Sequence, residues 1–162
     1  MVLTNTTGSS AGSLVYPKPM PTSGLNATFN LSMNGGTGGV GTAFNLLSPS
    51  ESAASIGAAG DGLGFAGLAG VSVQFVTSPT SKIVIKSGAT TVASTAAPNL
   101  RDTIHAIGVS VSGRTVTVRV DGTSVLRATV ADMPATALVG YSASTGALVD
   151  VHAIAESLIT AS

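Results

Sequence analysis

The clearest structural signal in the sequence is the stretch Thr115-Val116-Thr117-Val118-Arg119-Val120-Asp121-Gly122. Valine alternates in it with threonine and arginine, which is the two-residue period of a strand with one buried face. The stretch ends in Asp-Gly, a dipeptide that favours a type I′ turn because both central residues of that turn need a positive φ. An apolar pattern resumes directly after it. The stretch therefore predicts an antiparallel β-hairpin.

Similar short runs occur on both sides of this hairpin. Their approximate bounds are 27–33, 42–47, 71–76, 82–86, 107–111, 123–130, 137–142 and 150–159. Only 53–59 and 151–158 have any helical character, and it is weak in both. About ten short strands separated by turn residues are typical of two stacked antiparallel sheets. The pattern predicts an all-β protein with an antiparallel β-sandwich fold.

Length and composition set further bounds. The 162 residues suit one domain, and 44% hydrophobic with 9% charged residues argues against a disordered chain. We assign 1–24 to an extended Pro/Ser/Thr-rich N-terminal segment and 25–162 to the sandwich of the same domain. Seven basic residues balance seven acidic ones without a basic cluster, so we expect no nucleic-acid partner. No apolar run reaches the roughly 18 residues of a membrane span, and we expect no membrane partner.

Several motifs point to a known family. Val139-Gly140-Tyr141-Ser142-Ala143-Ser144-Thr145-Gly146 resembles the V-G-F-S-A-S-T-G segment of legume and bacterial L-type lectins. The segments 62–68 and 71–77 are similar to the family's G-L-G-F-x-G-L and V-A-V-E-F-D-T blocks, and 150–152 and 16–19 also match. The matches follow the family's order. This resemblance, strongest to the bacterial and actinobacteriophage type, implies a concanavalin A-like jelly roll.

The resemblance also implies a carbohydrate site organised by calcium and a transition-metal ion. Gln74 and Val76 occupy the positions of the family's metal-binding Glu and Asp, and the metal loop is shortened to 78–81. Ca²⁺ needs six to eight oxygen ligands, several of them carboxylate, so we expect no metal and no other cofactor. The family's sugar-binding Asp aligns with Val40. An alternative alignment at 60–63 would retain Asp61, but the order of the neighbouring blocks favours Val40.

The resemblance implies glycans as partners and a ligand site in the loops at one end of the sandwich. The candidate binding residues are Val40, Gly41, Asp61, Gly62, Tyr141, Ser144, Thr145 and Gly146. Tyr16 and Tyr141 are the two aromatic residues with a polar end that could stack on a sugar, although packing in the core or at its rim is favoured for both. The chain begins close to the first matched block, so we expect the family's N-terminal strand to be absent or supplied by a neighbour. An exposed sheet edge would follow.

Catalytic motifs are weak. The segment 36–41 fits G-x-G-x-x-G, but no helix follows, which favours a flexible turn. Asp150 and His152 would share a strand face and form a structural hydrogen bond, since no nucleophile elbow accompanies them. Glu51 and Glu156 are the only glutamates, and neither has an acidic residue two or four positions on, as glycosidases of this fold require. We expect no enzymatic activity.

Two functional hypotheses follow. The first is a non-catalytic, metal-independent lectin-like module on an exterior surface, which adheres to host or cell-wall carbohydrate. The second is a structural protein of a phage capsid or tail, or of a bacterial surface layer, whose partners are virion or surface-layer proteins and copies of itself. Low charge, the altered metal positions and an Ala/Gly/Thr/Val-rich composition favour the second hypothesis. Both place the protein on a virion or an extracellular surface. A glycosidase is a distant third.

Overall fold

The computed structural model describes all 162 residues, and they form two antiparallel β-sheets. The strands are β1 (Val2–Thr4), β2 (Ala11–Val15), β3 (Met20–Pro21), β4 (Asn26–Asn34), β5 (Gly41–Leu47), β6 (Gly70–Val76), β7 (Lys82–Ser87), β8 (Thr90–Ala96), β9 (His105–Ser112), β10 (Thr115–Val120), β11 (Thr123–Thr129), β12 (Thr136–Ser144) and β13 (Val151–Thr160). A single 3-10 turn spans Gly60–Gly62. The predicted all-β antiparallel sandwich is confirmed. No helix is long and apolar enough to cross a bilayer.

The two sheets differ in size and composition. The six-stranded sheet has the order β1-β13-β4-β9-β10-β11, and the seven-stranded sheet has the order β2-β12-β5-β6-β7-β8 with β3 also paired to β12. Many strands that lie side by side in a sheet, such as β13 and β4 or β12 and β5, are far apart in the sequence, as in a jelly roll. The longest segment between two consecutive strands is 48–69, between β5 and β6, and it forms part of the candidate site described below.

The hairpin that dominates the sequence is present. β10 pairs with β11 from Thr115↔Thr129 to Val120↔Thr123, with one register shift. Asp121 has φ 50° and Gly122 has φ 83°, so both turn residues are in the left-handed region that a type I′ turn needs. The Asp121 carboxylate accepts a hydrogen bond from the Ala106 amide, and its other oxygen lies 2.7 Å from Nδ1 of His105. Both contacts lower the pKa of Asp121 and tie the turn to β9.

The core lies between the sheets and is built from alternate residues of each strand. Its centre is aromatic: Phe29 of β4 lies with its ring centroid 6.0 Å from Phe44, 6.1 Å from Phe75 and 5.0 Å from Tyr141. Val116 and Val118 of the hairpin are fully buried in the same cluster. Edge-to-face and offset contacts between rings add to the free energy gained by burial. The core therefore joins both sheets.

The N-terminal segment corrects one prediction. The family strand that we expected to be absent or borrowed is present, since β1 pairs with β13 and β2 pairs with β12. The backbones of these two edge strands approach closely, and a Cβ on Gly12 would overlap the carbonyl oxygen of Leu3. β1, β2 and β3 have only three, five and two residues, which is too short for a two-residue alternation to be visible. Residues 1–24 therefore looked merely extended in sequence.

Three other segments had weak or ambiguous sequence patterns. β8 consists of small and hydroxyl-bearing residues and lies at the sheet edge, where few side chains are buried, so its alternation is weak. Neither segment with weak helical character is a helix: 53–59 is a loop, and 151–158 lies within β13. The segment 151–158 is a strand because it pairs with β4. Sequence periodicity alone does not reveal such a partner.

Candidate binding cleft

The seven-stranded sheet has the core on one face and a cleft on the other, and successive side chains of its strands point alternately to the two. On β6 and β7 the residues that face the core are Val71, Val73, Phe75, Ile83 and Ile85. The intervening residues Gln74, Val76, Lys82, Val84 and Lys86 face the other way and line a cleft of about 400 Å³. Successive side chains of a strand point to opposite faces, so the residues that line the cleft and those that build the core do not overlap.

The walls of the cleft come from three neighbouring segments. Val40, which precedes β5, and Asp61 and Leu63, in and after the 3-10 turn, form one side. Thr91 and Ser94 of β8 form the other side, and the short connection between β6 and β7 closes one end through Ser78 and Pro79. This connection has only the residues 77–81, as the shortened metal loop predicted. A smaller hollow beside the cleft shares Asp61, Gln74 and Lys86 and adds Gly62.

Gln74 is the most distinctive polar group in the cleft. The residue is 3% exposed, and no hydrogen bond joins its side-chain amide to another protein group. The fully buried polar atoms without a partner are Thr42 Oγ1 and His152 Nε2, so the Gln74 amide still contacts the open cleft that it lines. Its partner in register on β7 is Val84, which is also largely buried. An amide that faces a cleft is available to a ligand or to water.

The charges of the cleft are unevenly distributed. Lys82 and Lys86 are half-buried. Neither has a carboxylate within ion-pair distance; the only cations in ion pairs are Arg101 and His105. Asp61, which is exposed, is the single acidic residue of the lining. The cleft thus carries two positive charges and one negative charge in a protein whose net charge is zero.

A chain of hydrogen bonds fixes the wall that carries Asp61. The Ser72 hydroxyl donates to Oδ1 of Asn45, the Asn45 amide donates to Oγ of Ser142, and the Ser142 hydroxyl donates to the carbonyl of Leu63. All three distances are 2.7 or 2.8 Å, and all three side chains are buried. Buried polar groups that satisfy one another in this way are stable and directional. The 48–69 segment is therefore attached to the outer face of the sheet.

A buried ion pair fixes the wall that carries Val40. Asp150 is fully buried, and its carboxylate accepts hydrogen bonds from Nε of Arg101 at 2.7 Å, from Nη2 of Arg101 at 2.9 Å and from the amide of Gly36 at 3.0 Å. The hydrogen bonds to Asp150 raise the pKa of Arg101. Arg101 also donates to the carbonyl of Gly36. The pair joins the 35–40 loop to the segments before β9 and β13.

The predicted Asp150–His152 hydrogen bond is wrong. Asp150 bonds to Arg101 and Gly36, whereas Nδ1 of His152 lies 2.6 Å from the hydroxyl of Thr4. The other ring nitrogen of His152 is buried without a partner. Burial lowers the pKa of His152 to about 4 despite the nearby Asp150 charge, so the ring is neutral at pH 7. Asp150 lies just before the strand, where its side chain can reach the adjacent loops.

The eight candidate binding residues take three different positions. Val40 and Asp61 line the cleft, Gly62 lines the adjoining hollow, and Gly41 continues from Val40 into β5. Ser144 and Thr145 are buried, and their hydroxyls bond to loop carbonyls rather than to open space. Gly146 lies against Val40. These last three residues support the loops from behind.

Tyr141 lies in the core and does not line the cleft. It is 3% exposed, and its ring packs against Phe29 and Phe44. Its hydroxyl lies 2.6 Å from Oγ of Ser157, and burial raises its pKa. Tyr141 follows Val139 by two residues on β12, so both side chains lie on the face of the strand that points into the core. Tyr16 is about half exposed and lies beside a separate groove near β2.

The sequence motifs missed the part of the site that lies on β7 and β8. Lys82, Lys86, Thr91 and Ser94 belong to no family block, yet all four line the cleft. The signal that could have found the lysines is the alternation Lys82-Ile83-Val84-Ile85-Lys86, which places both ammonium groups on the face opposite the core. Gln74 and Val76 were identified only as substitutions at metal positions.

The residues of the cleft do not fit the metal ions of the family. No group of three or more His, Cys, Asp and Glu side chains is assembled anywhere in the structure. The cleft offers Asp61 as its one carboxylate, and two ammonium groups would repel a divalent cation at the position of Gln74 and Val76. Ca²⁺ needs several carboxylate oxygens among its ligands. The donor set therefore argues against a calcium site here.

Comparison with solved structures identifies the fold. The lumenal domain of VIP36 in its Ca²⁺/Man3GlcNAc-bound form superposes with a TM-score of 0.81 at 20% identity, over 98% of this chain and 77% of that one. Lectin II from Ulex europaeus gives 0.81 at 18% identity, over 98% and 85%. The carbohydrate-binding module CBM66 from Bacillus subtilis gives 0.67 at 10% identity, over 99% and 94%. No family model and no curated protein matches the sequence. The chain has the concanavalin A-like fold of the L-type lectins.

Proposed function

We propose that this protein is a non-catalytic carbohydrate-binding module whose ligand occupies the cleft on the outer face of β6–β8 and is held without a metal ion. The observation that carries the proposal is the Gln74 amide, which faces the cleft and has no hydrogen-bond partner in the protein, although it is not sealed from solvent. Sugar hydroxyls both donate and accept hydrogen bonds, as does a glutamine amide. The proteins that share the fold are lectins and a carbohydrate-binding module, which supports the same class of ligand.

The absence of a second carboxylate in the cleft supports binding rather than hydrolysis. Glycosidases use a pair of acidic groups placed on either side of the scissile bond. Asp61 has no such partner among the residues of the cleft. Glu51 bonds to the Ala69 amide, and Glu156 bonds to Asn30 on the other sheet, so both glutamates serve the structure. A glycosidase reaction has no acid–base pair here.

The experiment is a glycan array followed by calorimetry, each performed with and without a chelator. We expect saccharide binding that the chelator does not weaken. Ser94→Trp places a large side chain in the cleft from an exposed position and should abolish binding, whereas Thr129→Trp, at an exposed position of β11, should not. If no saccharide binds, or if both tryptophan variants bind as the wild type does, the proposal is wrong.

A second candidate function is assembly with copies of the same chain, favoured by an apolar groove at the β2 edge. Met1, Leu14 and Tyr16 line this groove and are 45%, 54% and 52% exposed. β2 is an edge strand, so its outer backbone groups have no partner strand. Sedimentation equilibrium tests it: we expect dimers that Leu14→Ser dissociates, and a monomer at every concentration would contradict it. A place in a virion or a surface layer, and adhesion to a host, stay predictions.

A further inference from the structure

The cleft combines three features that together select a ligand by its charge. The Gln74 amide lies at its floor without a hydrogen-bond partner in the protein, two lysines without carboxylate partners lie on either side of that floor, and no cluster of metal-binding side chains is present. Each feature is independent of the others. Their common consequence concerns the chemical class of the saccharide.

The register of the strands places the lysines around Gln74. Val84 pairs with Gln74, and Lys82 and Lys86 lie two residues to either side of Val84 on the same face of β7. Their Cα atoms are therefore roughly 13 Å apart along the strand. Both side chains have a long flexible stem, so both ammonium groups can reach a group that sits above Val84. The stems remain half-buried against the wall of the cleft.

Two unpaired ammonium groups on one face repel each other, and an anion between them removes this repulsion. Asp61 is the only anionic side chain in the lining, and it forms no ion pair with either lysine. A charge-assisted hydrogen bond to an anionic oxygen is roughly twice as strong as a neutral one. A neutral sugar would leave both lysines without a counter-ion.

Since the proposed function already assigns a saccharide to this cleft, we infer that the ligand is a sugar with an anionic substituent, a carboxylate or a sulfate ester, whose charge is held by Lys82 and Lys86 and whose hydroxyls bond to Gln74. Lysine binds anions as a point charge without the planar geometry of arginine, so it accepts either kind of anion. The inference thus deepens the proposed function and depends on it.

The test uses ligand pairs that differ only in charge. Oligogalacturonides are compared with their methyl esters, and carboxyl-reduced 6-sulfated chondroitin oligosaccharides with the same carboxyl-reduced chain without sulfate, all by calorimetry in the presence of a chelator. We expect the anionic member of at least one pair to bind at least about tenfold more tightly, and added salt to weaken it. The pair that shows the difference identifies the anion as carboxylate or sulfate.

The variants locate the charge effect in the cleft. Lys82→Met and Lys86→Met keep the apolar stem and should each weaken the anionic ligand about three- to fivefold, and the double variant by about tenfold or more. Lys18→Met removes an exposed lysine outside the cleft and should change nothing. Gln74→Leu should weaken the anionic and the neutral member of a pair equally, since it removes contacts to hydroxyls.

The outcomes separate the two proposals. If the neutral and anionic members bind equally and the double lysine variant binds as the wild type does, the inference is wrong although saccharide binding stands. If no member of any pair binds, the proposed function itself fails. If inorganic sulfate at equal ionic strength displaces the sugar completely and Gln74→Leu has no effect, the lysines form a simple anion site, which also overturns the inference.

Discussion

The Arg101–Asp150 ion pair should be the most sensitive polar contact of the protein, and its two partners should differ in cost. Asp150 is fully buried, whereas the Arg101 side chain is 24% exposed. Arg101→Met leaves a buried carboxylate whose remaining donor is the Gly36 amide, and breaking a buried pair in this way costs about 3–5 kcal/mol. Asp150→Asn leaves a guanidinium that water can reach, and an amide that can still accept hydrogen bonds, so we expect about 1–3 kcal/mol.

Urea unfolding at pH 7, with each variant measured at the same ionic strength, gives the free energies of unfolding. The double variant Arg101→Met/Asp150→Asn should be more stable than the sum of the single costs implies, because it leaves no unpaired buried charge. Lys18→Met is the matched control, since it also replaces a cation by methionine but at an exposed and unpaired position. The reasoning is refuted if Asp150→Asn costs more than Arg101→Met, or if the two single costs simply add.

Three further predictions follow from other contacts. Gly122→Ala should destabilise the protein by about 1–2 kcal/mol, because φ is 83° there although no atom crowds the position. Gly108→Ala, on an ordinary strand backbone, should not, and thermal unfolding of both variants tests this. Because the pKa of His152 is about 4 in the fold, below its ordinary 6.5, the unfolded chain takes up a proton first, and stability should fall by about 3 kcal/mol as the pH drops from 6.5 to 4; His152→Asn should lose this dependence, and identical pH profiles would contradict it. Ser142→Ala removes the hydroxyl that holds the Leu63 carbonyl, so limited proteolysis should cut 48–69 faster than in the wild type, while an unchanged cleavage rate would show that the other contacts suffice.

Sequence patterns predicted those strands whose alternate residues build the core. The hairpin of β10 and β11 and the strands β4, β6 and β7 were located to within a residue or two, because valine, isoleucine and phenylalanine alternate there with polar residues. β1, β2 and β3 could not be found because they have only two to five residues, and β8 because it lies at a sheet edge and holds small residues. Their conformation depends on backbone pairing with β13, β12 and β7, which composition does not encode.

The site was predicted only in part for a related reason. The family blocks pointed to Val40 and to Asp61 as alternatives for one aligned position, and the fold brings both to the same cleft. Motif matching missed Lys82 and Lys86, because it searches for residues that a family retains. A residue that gives one chain its own binding chemistry falls outside any such pattern. Motif matching also placed Tyr141 among the binding residues, whereas the alternation of β12 buries this side chain in the core.

The lysines of β7 have a second consequence, which concerns folding. A slip of β7 by one residue against β6 would exchange its two faces, so that Lys82, Val84 and Lys86 would face the core and one lysine would take the place of Ile83 or Ile85. Burying an unpaired charge costs far more than any contact that the slipped arrangement could gain. The groups proposed to recognise a ligand therefore also exclude the misaligned sheet, so that the choice of one fold and the choice of one ligand class rest on the same pair of side chains.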